Sequence, residues 1–262
     1  MPLFPEVSLK RQYEKREKNF TQPLQRASMI FVGNEEGKNN ICTYYNVDRD
    51  KVKIVSMPTP MDIFSLKPDL NILDKLGIRQ GEYVYYPAQF WAHKNHIRII
   101  KAIKNLKDRG YNIKVVFSGA DKFNQKYIEN KVKEYGIEDR VIFAGFVTRE
   151  ELMALYQNAH ALVYASLLGP DNIPPLEAMA LKCPAIVSDL AGHVEQFGDN
   201  AIFFKSTDEN DLADKIASIN KEKLFDKMEN AYNMARNRNF DNYVKNAFIK
   251  IDELSKYFEC WK

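Results

Sequence analysis

A doubly wound parallel α/β sheet, preceded by part of a second α/β unit, is the fold class this sequence predicts. Two observations carry that prediction. From Tyr83 onward, short apolar runs alternate with segments of helical periodicity, the pattern of parallel strands joined by helical crossovers. The runs are also continuously apolar, as in YVYYPA and HALVYAS. A half-exposed strand would alternate, whereas continuous runs belong to strands buried on both faces. With 262 residues, 45% of them hydrophobic, the chain can bury one large core or two modest ones.

The elements follow in order. The charged stretch over 8–20 reads as a helix. SMIFVG (28–33) and KVKIVS (51–56) read as strands on either side of a helix over 34–45, a fragment of an α/β unit. MPTPMD (57–62) contains two prolines and breaks both periodicities, so it reads as a linker. YVYYPA from 83, IKVVFSG (113–119), RVIFAGFV (140–147), HALVYAS (160–166), PAIVS (184–188) and AIFF (201–204) read as strands. Helices are expected near 95–109, 122–135, 149–159, 174–181 and 208–220, the third opened by a capping box of Thr148 and Glu151. Two more, near 223–237 and 241–258, follow the last strand. The domains expected are a partial N-terminal unit over 1–57, a ligand-binding domain over 58–240, and a C-terminal helix over 241–262 that packs back toward the N-terminal part.

Composition narrows the function classes. Lys and Arg number 38 against 35 Asp and Glu, and the net charge of +3 is too near balance to demand a nucleic acid. A local basic run lies between Lys94 and Lys114. Its Arg98, Lys101, Lys104 and Lys107 fall along one side of a helix, suiting either a solvated face or attraction to an anionic membrane surface or polyphosphate. Cys42, Cys183 and Cys260 are odd in number and far apart, so neither a disulfide framework nor a zinc site is expected, and a reducing cytosol fits. MPLFPEVSLKRQYEKREKNF lacks the apolar core of a signal peptide, and no later stretch has the length to span a membrane. The expectation is a cytoplasmic chain, soluble or peripheral at the inner face of a membrane.

LLGPDNIPPLEAMA (167–180) holds the strongest functional signal. It follows a buried strand and leads into an apolar helix, yet Gly169, Pro170, Asp171, Asn172, Pro174 and Pro175 interrupt it first. Parallel sheets bind ligands at the carboxyl ends of their strands, and the amino end of a helix favours an anion. A phosphate is the physical expectation. Pro174 and Pro175 fix where the helix begins, leaving the N–H groups of Asp171, Asn172 and Ile173 toward the crevice. Glu177 is expected in the first turn, where it either meets a ligand or simply favours the dipole. AQFWAHKNH (88–96) opens on the same crevice from the first strand of the sheet and brings in Lys94. A lysine there either meets a diphosphate as a point charge or is solvated.

Taken together, the AQFWAHKNH loop and the later IPPLEAMALKCP and PAIVS resemble the nucleotide-sugar half of the group 1 (family 4) retaining glycosyltransferases of the GT-B fold. The resemblance runs from about residue 20 to 250, because SMIFVGNEEGKNNI and KVKIVSMPTPMD are similar to the end of that family's N-terminal domain and its linker. IPPLEA is its most specific part. The resemblance implies transfer of a sugar from a nucleoside diphosphate donor to a saccharide or lipid-linked acceptor, with retention, in cell-surface polysaccharide synthesis. It implies that Lys94 binds the donor diphosphate and that Glu177, as the second glutamate of the family's Glu-x7-Glu motif, binds the ribose. Gly145 and Phe146 sit where the family holds the nucleobase, and Ser118 and Gly119 end the neighbouring strand. Neither a metal nor another cofactor is implied.

Departures from the family pattern are equally definite. Gly169 stands eight residues before Glu177, where the family has a glutamate beside the donor sugar; Asp171 and Asn172 are the polar groups placed to substitute. Gln89 replaces an arginine beside the first loop, and Thr59-Pro60 replaces the linker's Asn-Gly. His93, His96, His160 and His193 all fall in the C-terminal domain, so the family's N-terminal histidine has no counterpart. His93 and His96, with no third ligand nearby, read as loop and helix-face residues. Asp48-Arg49-Asp50 matches the metal-nucleotide motif of the other glycosyltransferase fold but reads better as a turn. Two complete domains at about 150 residues each would need roughly 300. The chain is therefore expected to carry a stub of the acceptor-side domain, to bind donor better than it transfers sugar, and to pair with itself or another polypeptide through that stub's open strand edge. A non-catalytic nucleotide-sugar-binding subunit and another GT-B enzyme, such as a nucleotide-sugar epimerase, are the alternative readings.

Overall fold

The structure is a computed structural model that describes residues 12–169 and 172–258. The expectations placed on Asp171 and Cys260 lie outside the described residues. Near the N-terminus, β1 (Ile30–Val32) and β2 (Val52–Ile54) form a parallel pair around α2 (Glu35–Tyr45), preceded by α1 (Gln12–Arg26). The first helix runs on past its expected end at residue 20, through Pro23, which removes one intrahelical bond near the end of the helix.

All six later strands fall where the apolar runs put them. They are β3 (Tyr83–Pro87), β4 (Lys114–Ser118), β5 (Val141–Gly145), β6 (Ala161–Tyr164), β7 (Ala185–Ser188) and β8 (Ile202–Phe204), in the parallel order β5-β4-β3-β6-β7-β8. The helices between them are α4 (His96–Asp108), α5 (Gln125–Glu134), α6 (Arg149–Asn158), α7 (Ile173–Ala180), α8 (Ala191–Phe197) and α9 (Glu209–Ala217). A short α3 (Asn71–Leu76) precedes β3, and α10 (Phe225–Asn237) and α11 (Phe240–Phe258) follow β8. Helix α5 starts later than expected because the Asp121 carboxylate first accepts the N–H groups of Asn124 and Gln125, at 3.2 and 3.0 Å, and makes a turn.

The chain leaves β3 toward β4 and β5, then returns to the other side of β3 for β6, β7 and β8. The reversal lies between β3 and β6, paired at Val84–Ala161 and Tyr85–Leu162. Loops on either side of such a reversal diverge and leave a crevice at the carboxyl ends of the strands. Strand β3 supplies three fully buried tyrosines, and each buried hydroxyl needs a partner. Tyr83 donates to the Leu155 carbonyl at 2.8 Å, Tyr85 pairs with the Ser118 hydroxyl at 2.7 Å, and Tyr86 donates to the Lys94 carbonyl at 2.8 Å. Tyr86 thereby ties the core strand to the loop that carries Lys94.

The basic run on α4 is largely paired within the fold. Arg98 and Lys101 meet Glu209, Arg109 meets Asp214 at 2.6 Å, Lys107 meets Asp139 at 2.6 Å, and Lys104 meets Asp108 at 2.5 Å. Such surface pairs contribute little each, but those of Arg98, Lys101 and Arg109 show α4 lying beside α9. At the far end, Glu253 of α11 meets Lys53 of β2 at 2.9 Å, joining the C-terminal helix to the N-terminal strand pair. Among the described residues no helix is long and apolar enough to cross a membrane.

His96 departs from the expected helix-face position. It is fully buried, stacked 4.4 Å from the Phe90 ring and packed against Tyr86 and Phe117. Burial disfavours the imidazolium and pushes the group down to about 3. Below pH 6.5 the unfolded chain takes up a proton at this residue that the folded chain refuses. The stability contribution is therefore complete above 6.5 and falls by about 1.4 kcal/mol per unit as pH drops from 6.5 toward the folded value. Denaturant melts between pH 7 and 4.5 should show a shallower decline in His96→Leu than in the wild type. Equal slopes would remove His96 from the acid response.

Candidate active site

The two loops at the β3/β6 reversal are built to face each other. After β3 the chain passes through a 3-10 turn, Ala92–Lys94, and Asn95 adopts a left-handed φ of 56° before α4 begins. Leu167, beyond β6, donates its N–H to the His93 carbonyl at 2.8 Å and ties the loops together. The Lys94 ammonium donates to the Tyr164 and Ser166 hydroxyls, each at 3.4 Å, and lies 5.4 Å from the centre of the Tyr164 ring. Burial pushes Lys94 down to about 8. A half-buried ammonium held by hydroxyls and a ring, with no carboxylate in ion-pair range among the described residues, is partly desolvated and gains when an anion meets it.

The interrupted stretch plays a different part from the one expected. Gly169 has φ +152°, and a Cβ there would lie 2.6 Å from the Asn172 Oδ1. Asn172 is fully buried; its Oδ1 accepts the Tyr164 hydroxyl at 2.9 Å, and its Nδ2 donates to the Gly169 carbonyl at 3.0 Å and to Gln196 at 2.9 Å. The amide expected to reach the crevice instead braces the loop. Helix α7 begins at Ile173, so Pro174 and Pro175 take its second and third positions. They delete two of the four N–H groups that a helix start offers an anion, which leaves those of Asn172 and Ile173 and shifts the burden of anion binding to Lys94.

Glu177 also differs from expectation. It is the fifth residue of α7, beyond the first turn, and only 6% exposed. Its Oε1 accepts from Arg149 Nη1 at 2.5 Å and its Oε2 from the Tyr156 hydroxyl at 3.0 Å. Arg149 also donates to both Asp62 oxygens, at 2.6 and 3.0 Å. Burial opposes the Arg149 charge, but hydrogen bonds to Asp62 and Glu177 raise its pKa on balance, and Arg149 holds the Asp62 carboxyl below the usual carboxylate range. Sequence reasoning missed Arg149, Tyr156 and Asp62. The available signal was the spacing of Arg149 and Tyr156, which puts both on one face of α6.

Other positions are soon placed. Gln89 is exposed, its side-chain oxygen accepting from the Trp91 indole at 3.0 Å. Gly145 has φ +68°, its carbonyl accepts the Gly119 N–H at 2.8 Å, and Phe146 next to it is 89% exposed at the carboxyl end of β5. Ser118 is buried against Tyr85. His160 faces the Ile216 carbonyl at 3.1 Å, and His193 lies 3.0 Å from the Ser188 hydroxyl, where burial pushes it down to about 4. The Asp48 carboxylate accepts the Asp50 N–H at 2.9 Å and caps the 3-10 turn Arg49–Lys51. Among the described residues no group of three or more His, Cys, Asp or Glu side chains gathers as metal ligands.

The N-terminal unit docks against α8, the helix that follows β7. The Glu195 carboxylate of α8 accepts the Glu35 N–H of α2 at 2.7 Å, and the Glu36 carboxylate of α2 accepts the Gly192 N–H of α8 at 2.5 Å. Each helix start is thus occupied by a carboxylate of the other, the charge arrangement a helix dipole favours.

The family profile described as Glycosyl transferases group 1 matches residues 70–238. The chain is 30% identical over 205 residues to the O-antigen chain mannosyltransferase RfbU of Salmonella typhimurium, a match covering 78% of this chain and 54% of that protein. It is 29% identical over 163 residues to the uncharacterized glycosyltransferase MJ1607 of Methanocaldococcus jannaschii, covering 60% and 41%. The chain thus spans about half the length of the curated relatives it matches. In three dimensions it is similar to Anabaena Alr3699/HepE, crystallised in complex with UDP and glucose. That match has a TM-score of 0.79 and 18% identity over 95% of this chain and 69% of that one. At that identity the likeness shows the fold.

Proposed function

The chain belongs to the group 1 glycosyltransferases of the GT-B fold, and on that premise we propose that it binds a nucleoside-diphosphate sugar at the β3/β6 reversal. It transfers the sugar, with retention at the anomeric carbon, to a saccharide or lipid-linked acceptor in cell-surface polysaccharide synthesis at the cytoplasmic face. Residues 58–240 form the donor domain, residues 1–57 contribute to the acceptor side, and the helix from 241 returns to it. Neither metal nor other cofactor takes part.

The observation that carries this reading is Lys94, a half-buried cation at the carboxyl edge of a parallel sheet with hydroxyls for neighbours. As the bond from sugar to phosphate breaks, negative charge grows on the departing diphosphate. A fixed ammonium in a desolvated site stabilises that charge more in the transition state than before it. The Ile173 N–H and Gln89 add hydrogen bonds to the phosphates, Glu177 takes the ribose hydroxyls, and Gly145 and Phe146 receive the base. Gly169 is assigned to the donor-sugar side.

A thermal-shift panel tests the reading. RfbU is named for mannosyl transfer and HepE was crystallised with UDP, so GDP-mannose, UDP-glucose and dTDP-glucose are the arms to compare, with inorganic pyrophosphate as the ribose-free control. A nucleoside-diphosphate sugar should raise the melting temperature. Glu177→Gln should weaken the ribonucleotide by about tenfold, one hydrogen bond to a charged group, and leave pyrophosphate nearly unchanged. Equal losses for both ligands assign Glu177 a folding role, and no shift with any nucleotide overturns the reading.

A further inference from the structure

The Asp62, Arg149 and Glu177 array joins parts of the chain that lie 87 and 28 residues apart in sequence. Asp62 belongs to the 3-10 turn Met61–Phe64 at the end of the linker, Arg149 opens α6 just beyond β5, and Glu177 lies in α7 beside the reversal point. The linker is anchored once before this, at Thr59, whose N–H and hydroxyl donate to the Arg238 and Ala235 carbonyls of the α10 end, both at 2.7 Å. Asp62 is its next attachment to the donor side.

One guanidinium thus serves two carboxylates of different burial. Toward Asp62, 45% exposed at the side chain, it presents two parallel N–H donors; toward Glu177, 7% exposed, it presents one. A guanidinium is a rigid planar fork, so its two partners are not independent. A ligand diol that donates hydroxyl hydrogens to Glu177 competes with the single Arg149 bond. It does not compete with the bidentate pair, which is the stronger geometry.

The geometry points to Arg149 as a positioning residue that couples occupation of the Glu177 carboxylate by a ribose diol to the grip on the interdomain linker. With the diol in place, Arg149 yields part of its contact with Glu177 and closes on Asp62, tightening the turn from Asp62 to Leu66. This rests on the nucleotide reading above, with Glu177 as the ribose acceptor.

Hydrogen exchange on the full chain tests it, following the Ile63–Leu66 amides with UDP, with GDP and with inorganic pyrophosphate. The nucleotide that binds should slow those amides by about tenfold, the strengthening of one charged hydrogen bond, and pyrophosphate should not. Arg149→Gln should abolish the nucleotide effect while pyrophosphate binding persists. Arg149→Lys, which keeps the charge and loses the fork, should bind nucleotide without conferring linker protection. Asp62→Asn should lose the protection as well, with a native melting transition to show that it folds. Nucleotide binding with unchanged linker exchange in the wild type, or protection retained in Arg149→Gln, overturns the coupling and leaves the nucleotide reading intact. Failure of the wild type to bind any nucleotide overturns the reading and the coupling together.

Discussion

Lys94→Ala is expected to weaken nucleoside diphosphate binding by about ten- to a hundredfold, the loss of a charge-assisted contact of about 1.5–3 kcal/mol. The ammonium is held at the β3/β6 reversal by the Tyr164 and Ser166 hydroxyls, and its backbone carbonyl accepts the Tyr86 hydroxyl. Its position therefore does not depend on a ligand, and its removal deletes charge without dismantling the loop. The pH dependence gives a second signature. Because burial lowers Lys94 to about 8, the cation is present at pH 7 and is lost above pH 8. Wild-type affinity should be level below that value and fall by up to about tenfold per unit above it, while Lys94→Ala stays flat. Ligand-free stability runs the other way. The folded state disfavours the charged lysine relative to the unfolded chain, so its penalty is present below pH 8 and is relieved as pH rises toward the unfolded value. Lys94→Met should accordingly be no less stable than the wild type at pH 7 while binding nucleotide as poorly as the alanine variant. Calorimetry from pH 6.5 to 9.5 decides it, and unchanged affinity or parallel pH profiles would remove Lys94 from the site.

The parts of this molecule that local pattern determines were legible, and those determined by distant neighbours were not. The central strands β3, β4, β6 and β7 were visible because burial on both faces leaves a nearly continuous apolar run, as in Tyr83–Pro87 and Ala185–Ser188, while the half-buried edge strands β5 and β8 still carry apolar runs. Helices α3 and α8 span six and seven residues, too short for a 3.6-residue period to declare itself. The basic side of α4 read as solvated because Glu209 and Asp214 looked like ordinary residues of another helix. Only the packing of α4 beside α9 turns them into partners. At the site, residue types were legible and their directions were not. Asn172 was correctly placed at the break, yet its amide turns inward to Tyr164 and Gln196. Glu177 was placed on the right helix one turn early, and its partner Arg149 follows a capping threonine whose evident purpose hid the next residue.

Gly119 shows the same limit and carries the other large expected effect: Gly119→Ala should destabilise the protein by about 2–4 kcal/mol and weaken nucleotide binding as well. In the sequence it is one more small residue at a strand end facing the crevice. In the structure its φ is +138°, a region that side chains with a Cβ rarely enter. A Cβ there would lie 2.6 Å from the Ala88 carbonyl oxygen, 2.7 Å from its carbon and 2.9 Å from the Gln89 nitrogen. These are backbone atoms, which cannot rotate aside as the tip of a side chain would. They are also fixed from both directions: Ala88 donates to the Ser118 carbonyl at 2.9 Å, Gly119 donates to the Gly145 carbonyl at 2.8 Å, and Phe90 bridges to Asp121. A methyl group must therefore displace the 88–95 loop, and that loop carries Lys94. Gly145→Ala is the control. Gly145 has φ +68° with nothing within 4 Å of a built Cβ, so that variant meets only the intrinsic left-handed cost of about 1–2 kcal/mol. Urea denaturation of both variants, with nucleotide calorimetry of Gly119→Ala against the wild type, separates close backbone approach from simple φ preference. If Gly119→Ala loses no more stability than Gly145→Ala and binds nucleotide like the wild type, the two loops yield to each other freely and the approach does not hold Lys94 in place.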